Sequence, residues 1–421
     1  MEVTKGEKAV ERTKGNVMVG QSGGPTAVIN SSLAGVFKVA KDRGAAKIYG
    51  MMNGIQGLID GRYVDLEEHI KSDLDIELLK RTPSSFLGSC RYKLPNPDEG
   101  EEVYEKIFSF LKEKAIEYFF YIGGNDSMDT IKKLTDYANK IKSDIRFMGI
   151  PKTIDNDLDI TDHTPGYGSA AKYIASITKE IIRDSLVYDR DSVTILEIMG
   201  RNAGWLTGAA ALAQGEDCEG PDMIFLPEIP FEIEQFIQQV SALQKDKRSV
   251  VVAVSEGIRL PDGRYVCELN QDEIDSVDVF GHKDLTGTAR YLANMLSRKQ
   301  ECRTRAIEFS TLQRCASHIV SRVDITEAFQ VGGAAVKAAF EGKSGEMVIL
   351  KRISDDPYIY VTDTYDVHKI ANVEKIVPRE WINESGNYVM PRFTAYIRPL
   401  IQGELTPIMA DGLPRHLTLN D

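Results

Sequence analysis

Short apolar segments alternate with helix-forming segments along most of this 421-residue chain. Each apolar segment is apolar at nearly every position, which is typical of parallel strands covered by helices on both faces. Strands are predicted at residues 16–21, 117–122, 145–150, 192–199, 222–226, 249–254 and 304–309, and helices at 26–41, 125–140, 169–186 and 203–213. The alternation predicts an α/β chain of doubly wound, Rossmann-like parallel-sheet domains.

No low-complexity linker divides the chain, so we expect its two α/β halves to exchange segments. The clearest hairpin signal lies in residues 258–268, where Pro261-Asp262-Gly263-Arg264 supplies turn residues. Beyond Lys351 the pattern is mixed, with residues 358–361 strand-like.

Composition argues against several classes of protein. The formal net charge is −12, whereas nucleic acids and acidic membranes attract an excess of Lys and Arg. No run of about 18 apolar residues predicts a membrane span, and the polar first fifteen residues do not resemble a signal peptide. Scattered cysteines, odd in number, favour free thiols in a cytoplasmic protein; they are Cys90, Cys218, Cys267, Cys302 and Cys315.

Glycines and ionisable residues follow four of the predicted strands directly. Ligands in doubly wound folds bind at the carboxyl ends of strands, so these residues are expected at one site. The clusters are Ser22-Gly23-Gly24, Gly123-Gly124-Asn125-Asp126-Ser127, Lys152-Thr153-Ile154-Asp155-Asn156-Asp157 and Met199-Gly200-Arg201.

The glycine pairs suit phosphate binding, because backbone N–H groups can approach an anion closely where no Cβ intervenes. A tight strand-to-helix turn explains Gly23-Gly24 equally well. The second cluster carries more polar side chains than a helix N-cap requires, which favours a function for Asn125, Asp126 and Ser127.

The segment after residues 145–150 is the most informative. If it is extended, Thr153, Asp155 and Asp157 lie on one side. One carboxylate can then accept the proton of an attacking hydroxyl, another can organise Mg²⁺, and Lys152 can neutralise the moving phosphoryl group. The alternative is a surface turn rich in Asp and Asn.

Four arginines are candidate phosphate ligands, since guanidinium binds phosphate in a bidentate manner. They are Arg91, Arg201, Arg305 and Arg314. Most arginines are solvated surface charges, but Arg201 follows a strand end. Glu256 has the same position after its strand and is a candidate for binding a hydroxyl group.

Two familiar nucleotide motifs are not matched. Gly166-x-Gly168-x-x-Ala171 has the spacing of a dinucleotide fingerprint but does not directly follow a strand. Gly342-Lys343-Ser344 lacks the first glycine of a P-loop, because Lys337 stands there.

Read in order, these clusters resemble the phosphofructokinase family over roughly residues 16–351. The matching landmarks are Ser22-Gly23-Gly24 with Asn30, Leu87-Gly88-Ser89-Cys90-Arg91, Gly123-Gly124-Asn125-Asp126-Ser127, Thr153-Ile154-Asp155-Asn156-Asp157, Met199-Gly200-Arg201, Ser255-Glu256-Gly257, and Arg305 followed by Gln313-Arg314.

The resemblance implies transfer of a phosphoryl group to the 1-hydroxyl of fructose 6-phosphate, a step of glycolysis and gluconeogenesis, with Mg²⁺. Asp155 would be the base, Lys152 and Arg201 would stabilise charge, and Asp126 and Thr153 would also belong to the catalytic residues. The sugar phosphate would contact Thr153, Ile154, Met199, Gly200, Arg201, Glu256, Arg305, Thr311 and Arg314. The donor would contact Gly24, Arg91, Gly124, Asn125, Asp126, Ser127 and Lys152, and the metal Asn125 and Asp157.

The resemblance also implies a domain organisation and an assembly. We expect a polar extension at residues 1–15, a donor-binding domain at 16–168 and a sugar-phosphate-binding domain at 169–314. Residues 315–365 would return to the first domain, and 366–421 would pack on the second. A homodimer or homotetramer is expected, because the sugar-phosphate site in this family usually borrows arginine from a neighbouring subunit.

The donor is predicted to be pyrophosphate. ATP-using members have glycine where Asp126 stands, and this carboxylate would clash with and repel the α-phosphate of a nucleotide. Lys152 is typical of pyrophosphate users, and Ile55 stands where many ATP users have an aromatic residue. The alternatives are an ATP-dependent phosphofructokinase and a non-catalytic sugar-phosphate-binding regulatory subunit.

Three positions depart from the family pattern. Asn125 replaces the aspartate that usually helps to hold Mg²⁺, and Thr311 stands where histidine or tyrosine is common. Ser192 occupies the position of a borrowed arginine, for which Arg190 could substitute. These departures leave room for sedoheptulose 7-phosphate as an additional acceptor.

Overall fold

The structure, a computed structural model, describes residues 15–269 and 285–419. The strands are β1 Asn16–Gln21, β2 Ile48–Met51, β3 Tyr63–Asp65, β4 Ile116–Gly123, β5 Arg146–Pro151, β6 Ser192–Ile198, β7 Met223–Phe225, β8 Ser249–Ser255, β9 Arg303–Glu308, β10 Glu346–Asp355, β11 Tyr358–Asp366, β12 Met409–Ala410 and β13 Leu413–Pro414. The α-helices are α1 Ile29–Asp42, α2 Gly54–Ile59, α3 Leu66–His69, α4 Asp73–Arg81, α5 Glu101–Glu113, α6 Asn125–Lys140, α7 Tyr167–Ser185, α8 Trp205–Gly208, α9 Ile233–Leu243, α10 Thr288–Lys299, α11 Leu312–Cys315, α12 Arg322–Phe340 and α13 Pro391–Ile397.

The first sheet has seven strands in the order β11-β10-β5-β4-β1-β2-β3. Its inner strands pair in parallel, and β3 and β11 add antiparallel edges. The helices α1 and α12 cover one face, where Leu33, Phe37 and Val331 are fully buried or nearly so. Tyr104 on α5 and Ile131 on α6 are buried at the other face. Both faces are dry, which explains why these strands are apolar throughout.

The second sheet has four parallel strands in the order β7-β8-β6-β9. Its register pairs Ile198 with Ser255 and Glu197 with Glu308, so the carboxyl ends of the three longer strands lie together. The two parallel sheets confirm the predicted α/β class with doubly wound domains.

Two local predictions need correction, and strand β10 was not predicted. The hairpin predicted at 258–268 is reduced to one bridge between Arg259 and Tyr265, because the chain then turns inward as a short 3₁₀-helix, Val266–Leu269, that buries Val266. The helix predicted at 203–213 is split into α8 and a 3₁₀-helix, Ala209–Ala213. The long hairpin of β10 and β11 carries only a weak strand signal in the sequence.

The segment after β11 contacts both halves of the molecule, whereas it was predicted to pack on the second. Val367 and Ile370 are buried in the core of the first half. Phe393 on α13 stacks on Trp205 in the second half, with ring centroids 5.7 Å apart. Among the described residues, no helix is long and apolar enough to cross a membrane.

Candidate active site

A cleft of about 1130 Å³ lies between the carboxyl ends of the two sheets. Its walls are the segments that follow β1, β4 and β5 in the first sheet and β6, β8 and β9 in the second. A slightly larger cavity of about 1250 Å³ lies near the amino ends of the second sheet's strands and is lined by none of the predicted site residues. The chemistry expected from the sequence is therefore concentrated in the first cleft.

The structure brings most of the predicted site residues together. Those that line the cleft are Gly24, Arg91, Gly124, Asn125, Asp126, Ser127, Lys152, Thr153, Ile154, Asp155, Asp157, Met199, Arg201, Glu256, Thr311 and Arg314. They come from seven separate segments, so only the tertiary fold assembles them.

Gly200 lies behind the surface of the cleft and shapes it through its backbone. Its φ of 143° is in the region that favours glycine, and a Cβ here would lie 2.6 Å from the carbonyl oxygen of Ala203. Its N–H donates to Oε1 of Glu256 at 3.4 Å, and its carbonyl accepts the Ser255 hydroxyl. Gly200 thus orients Glu256.

Arg305, predicted at the sugar phosphate, does not reach this cleft. It lies midway along β9, opposite Thr194, and its Nη1 donates to Oδ2 of Asp184 at 3.0 Å on an exposed face. Ser192 begins β6 at the end of the sheet away from the cleft, and the Arg190 guanidinium lies over the Tyr188 ring. Ile55 is fully buried in the core and does not line the cleft.

The loop after β5 is not extended as predicted, yet it presents the expected side chains. Asn156 has a φ of 55°, and its side chain turns inward, where Nδ2 donates to the Tyr396 hydroxyl at 3.0 Å. Its Oδ1 accepts the N–H of Thr164 at 3.1 Å. With Asn156 held inside, Asp155 and Asp157 on either side of it line the cleft.

One side of the cleft is cationic. The ammonium of Lys152 is buried and donates to the carbonyl oxygen of Gly24 at 2.6 Å. Burial lowers the pKa of Lys152 to about 8, although Asp155 partly opposes this. Burial and the nearby Arg91 also lower the pKa of Arg314. A Cβ on Gly24 would lie 3.3 Å from Nη1 of Arg314, so the bare glycine leaves the guanidinium room to approach the backbone.

Carboxyl groups lie in the same cleft as these cations. Burial raises the pKa of Asp155, whereas Lys152 and a hydrogen bond from Thr153 act to lower it. Burial and the charge of Asp155 raise the pKa of Asp157 to about 7 and that of Glu256 to about 8. Three carboxyl groups thus share one dry region beside a buried lysine, an arrangement common at catalytic sites.

The carboxylate of Asp157 is suited to bind a magnesium ion. Its Oδ1 is buried and has no hydrogen-bond partner among the described residues. Within the same residues, no three His, Cys, Asp or Glu side chains are close enough to hold a metal by themselves. Proteins usually bind Mg²⁺ through one or two carboxylates together with phosphates of the substrate, which suits Asp157.

Asn125, the other predicted metal ligand, has its amide engaged elsewhere. Its Oδ1 accepts the N–H of Asn372 at 3.1 Å, and its Nδ2 donates to the carbonyl oxygen of Val373 at 3.0 Å. Both the oxygen and the nitrogen of the amide are therefore hydrogen-bonded to the backbone of the C-terminal segment.

Several residues of the cleft were not predicted. Asn202 is the sequence neighbour of the predicted Arg201, which is the signal that could have found it, and Gln313 was named only as part of a family landmark, without a role. Asn372 and Glu374 enter from the C-terminal segment, where no motif marks them. Oε1 of Glu374 accepts a hydrogen bond from Nδ2 of Asn202 at 3.1 Å. The negative charge of Glu374 also adds to the effect of burial and of Asp155 in raising the pKa of Asp157.

Residues 16–339 match the family described as Phosphofructokinase. The chain belongs to this family. It is 40% identical over 409 residues to a Pyrophosphate--fructose 6-phosphate 1-phosphotransferase of Methylococcus capsulatus, with 96% of each chain covered. It is 38% identical over 404 residues to a protein of the same name from Halomonas elongata, with 95% of each covered.

The phosphofructokinase fold is also that of a solved relative. The structure of a pyrophosphate-dependent phosphofructokinase from Nitrosospira multiformis is 36% identical and covers 96% of each chain, with a TM-score of 0.86. The resemblance expected from the motifs is confirmed, and it extends past the family match into the C-terminal segment.

Proposed function

We propose that this enzyme transfers a phosphoryl group from pyrophosphate to the 1-hydroxyl of fructose 6-phosphate, giving fructose 1,6-bisphosphate and phosphate. The observation that carries the proposal is the cleft in which the half-buried carboxyl group of Asp155 lies together with the cationic side chains of Lys152, Arg91 and Arg314. The names of the relatives support the same donor and acceptor.

Asp155 is the proposed general base. The Asp155 N–H donates to the Thr153 hydroxyl oxygen at 3.1 Å, and that hydroxyl lies 3.4 Å from Oδ2, so the side chain is oriented locally. Lys152, Arg314 and Arg201 favour its ionised form against the effect of burial. An ionised carboxylate in a dry cleft can accept the proton of the sugar hydroxyl as the hydroxyl oxygen attacks phosphorus.

Pyrophosphate is the proposed donor because of Gly24, Asp126 and Lys152. Gly24 lets the donor approach the backbone beside Lys152, whose charge would balance that of the phosphates. Asp126 lies in the first turn of α6 and lines the cleft, where its carboxylate would repel the α-phosphate of a nucleotide. A pyrophosphate bond is close in energy to a sugar phosphate ester, so we expect the reaction to be readily reversible.

The acceptor would lie on the side of the second sheet. Glu256 and Met199 line this wall, and Arg201 beside them can stabilise charge on the transferred group. Arg314 and Thr311 would contact the 6-phosphate. Sedoheptulose 7-phosphate is a candidate for an additional acceptor at the same wall.

Magnesium is the proposed cofactor, with Asp157 as its protein ligand. When bound, Mg²⁺ would neutralise charge on the phosphate oxygens during transfer. The unpartnered Oδ1 of Asp157 supports this assignment. Asn125 is the weaker candidate, because its amide oxygen already accepts the N–H of Asn372.

A cytoplasmic homodimer or homotetramer is also proposed, with Arg305 acting in the site of a neighbouring subunit. Its place on an exposed face away from its own cleft supports such a role. Arg305→Ala should then raise the KM for fructose 6-phosphate and leave the KM for pyrophosphate within about twofold. Light scattering on the purified protein would test the assembly itself, and a monomer with full activity would contradict it.

The donor is tested by assaying the purified enzyme with pyrophosphate and with ATP side by side. Turnover with ATP and none with pyrophosphate would overturn the assignment in favour of an ATP-dependent enzyme. Fructose 6-phosphate binding with no turnover from either donor would favour the regulatory subunit. The presence of both Asp155 and Asp157 speaks against that alternative, since a binding protein requires neither a base nor a metal ligand.

Two variants sharpen the donor assay. Asp126→Gly removes both the bulk and the charge, and should weaken pyrophosphate use and admit some ATP. Asp126→Asn keeps the bulk and removes the charge, so it separates the steric effect from the electrostatic one. An unchanged donor preference in both variants would contradict the role of Asp126.

A further inference from the structure

The segment 372–376, here called the C-terminal strap, lies along the cleft between two buried apolar residues, Ala371 and Val377, and buries little apolar surface itself. The side chains of Asn372, Val373 and Glu374 are exposed, and Lys375 is half-buried. Apolar packing therefore anchors only the two ends of the strap, and the position of the residues between them depends on hydrogen bonds.

Asn125 supplies two of those hydrogen bonds at the start of α6. Its Oδ1 accepts from the backbone of Asn372 at 3.1 Å, and its Nδ2 donates to the backbone of Val373 at 3.0 Å. An amide accepts through its oxygen and donates through its nitrogen, whereas a carboxylate can only accept. An aspartate at 125 would keep the acceptor, lose the donor and repel the carbonyl oxygen of Val373.

Other anchors connect the strap to the remaining walls of the cleft. The N–H of Lys375 donates to the carbonyl oxygen of Asp157 at 2.8 Å, and Nε1 of Trp205 donates to the carbonyl oxygen of Lys375 at 2.9 Å. Nδ2 of Asn372 donates to Oδ1 of Asp129 at 3.1 Å, one turn along α6 from Asn125. The strap thus joins α6, the loop that carries Asp157 and the second half of the chain.

The strap also forms part of the surface at the donor end. Asn372 and Glu374 line the cleft together with Asn125 and Asp126. A donor bound against the start of α6 would lie next to this wall. Moving the strap would open this end of the cleft to water and shift the backbone contact to Asp157.

We propose that Asn125 is a positioning residue whose amide pins the C-terminal strap across the donor end of the cleft. The inference deepens the proposed function and rests on it for the identity of the donor. It explains why an amide stands where the family usually has a metal-binding aspartate. The strap, once pinned, holds the wall against which pyrophosphate binds.

The test compares wild type with Asn125→Asp, because the two explanations of Asn125 predict opposite results. If the amide pins the strap, Asn125→Asp should speed hydrogen exchange at the amides of residues 372–375 by about tenfold. The KM for pyrophosphate should rise by about tenfold, with kcat within about threefold. A negative side chain at a helix N-terminus is favourable, so α6 itself should not be weakened.

Asn125→Gln keeps both hydrogen-bonding functions on a longer side chain and should give an intermediate rate of exchange. Unchanged exchange in Asn125→Asp, or tighter Mg²⁺ binding by calorimetry with an unchanged KM for pyrophosphate, would overturn the proposal in favour of a metal ligand. Exchange is measured without turnover. Fast exchange in a protein that does not use pyrophosphate would therefore overturn the proposed function and leave the role of the amide intact.

Discussion

Residues 153–163 carry two clusters of buried charge that differ in how their charges are paired. At the start of this loop, Asp155 and Asp157 face the cleft. At its end, Asp162 and His163 lie in a buried network with Glu327. The two clusters share one stretch of backbone, so their difference comes from the partners that the fold brings to each.

In the network each charge has an opposite charge close to it. Nδ1 of His163 lies 2.8 Å from Oδ1 of Asp162, and Nε2 lies 2.7 Å from Oε2 of Glu327. Arg352 donates to Asp162 at 2.9 Å, and the Tyr358 hydroxyl donates to Glu327 at 2.6 Å. Burial opposes the charge of His163, but Glu327 and Asp162 outweigh it and raise its pKa to about 9.

In the cleft the carboxyl group of Asp157 is less completely paired. Burial dominates there and raises the pKa of Asp157 to about 7, and Oδ1 of that side chain has no partner among the described residues. In the network, by contrast, burial acts to raise the pKa of Asp162, but His163 and Arg352 lower it overall. The network pairs its charges within the protein, and we propose that the substrates pair with those of the cleft.

The largest effect is expected from replacing the base in the cleft. Asp155→Asn keeps the shape of the side chain and removes its ability to accept a proton, so kcat should fall by roughly 10²- to 10⁴-fold. Thermal stability should not fall, because a buried charge is removed. Asp159→Asn, on the same loop but outside the cleft, is the control. Activity of Asp155→Asn within tenfold of wild type would contradict its role as base.

The next largest effect is expected in the network. His163→Gln removes the cation between Asp162 and Glu327 and should lower the free energy of unfolding by about 3 kcal/mol near pH 6. The pKa of His163 is raised in the folded protein, so its contribution is complete below about pH 6.5 and is lost as the pH rises through about 9. Urea unfolding from pH 6 to 10 should show the two proteins converging. A constant difference would show that packing, and not charge, holds the network.

The smallest effect is a gain in stability at the cleft. The raised pKa of Asp157 favours its protonated form on folding, a contribution that is present below about pH 3.8 and lost as the pH rises through about 7. Asp157→Asn avoids this loss, so at pH 8 in EDTA its free energy of unfolding should exceed that of wild type by about 1–2 kcal/mol. The advantage should disappear near pH 4. Calorimetric unfolding at both pH values measures it, and a less stable variant at pH 8 would show that Asp157 is paired in the free enzyme.

Much of the site could be predicted because it is local in sequence. Parallel strands have apolar runs that show where they end, and ligands bind beyond their carboxyl ends, so the clusters around Gly24, Asp126, Asp155 and Arg201 could be placed at one edge. The loop geometry could not, since the positive φ of Asn156 depends on Tyr396, 240 residues away. The loop is not extended there, although Thr153, Asp155 and Asp157 all line the cleft.

The sequence by itself determined the α/β class, the family and most residues of the cleft. Hydrophobic periodicity and strand-end motifs are formed by residues close together in the sequence, so they can be recognised without the structure. Only the tertiary structure decided that Arg305 lies away from its own cleft and that His163 is enclosed by carboxylates. It also decided that the amide of Asn125 meets the backbone of Val373, 248 residues further along. Contacts of this kind join residues that are far apart in the sequence. A local sequence pattern therefore does not predict them.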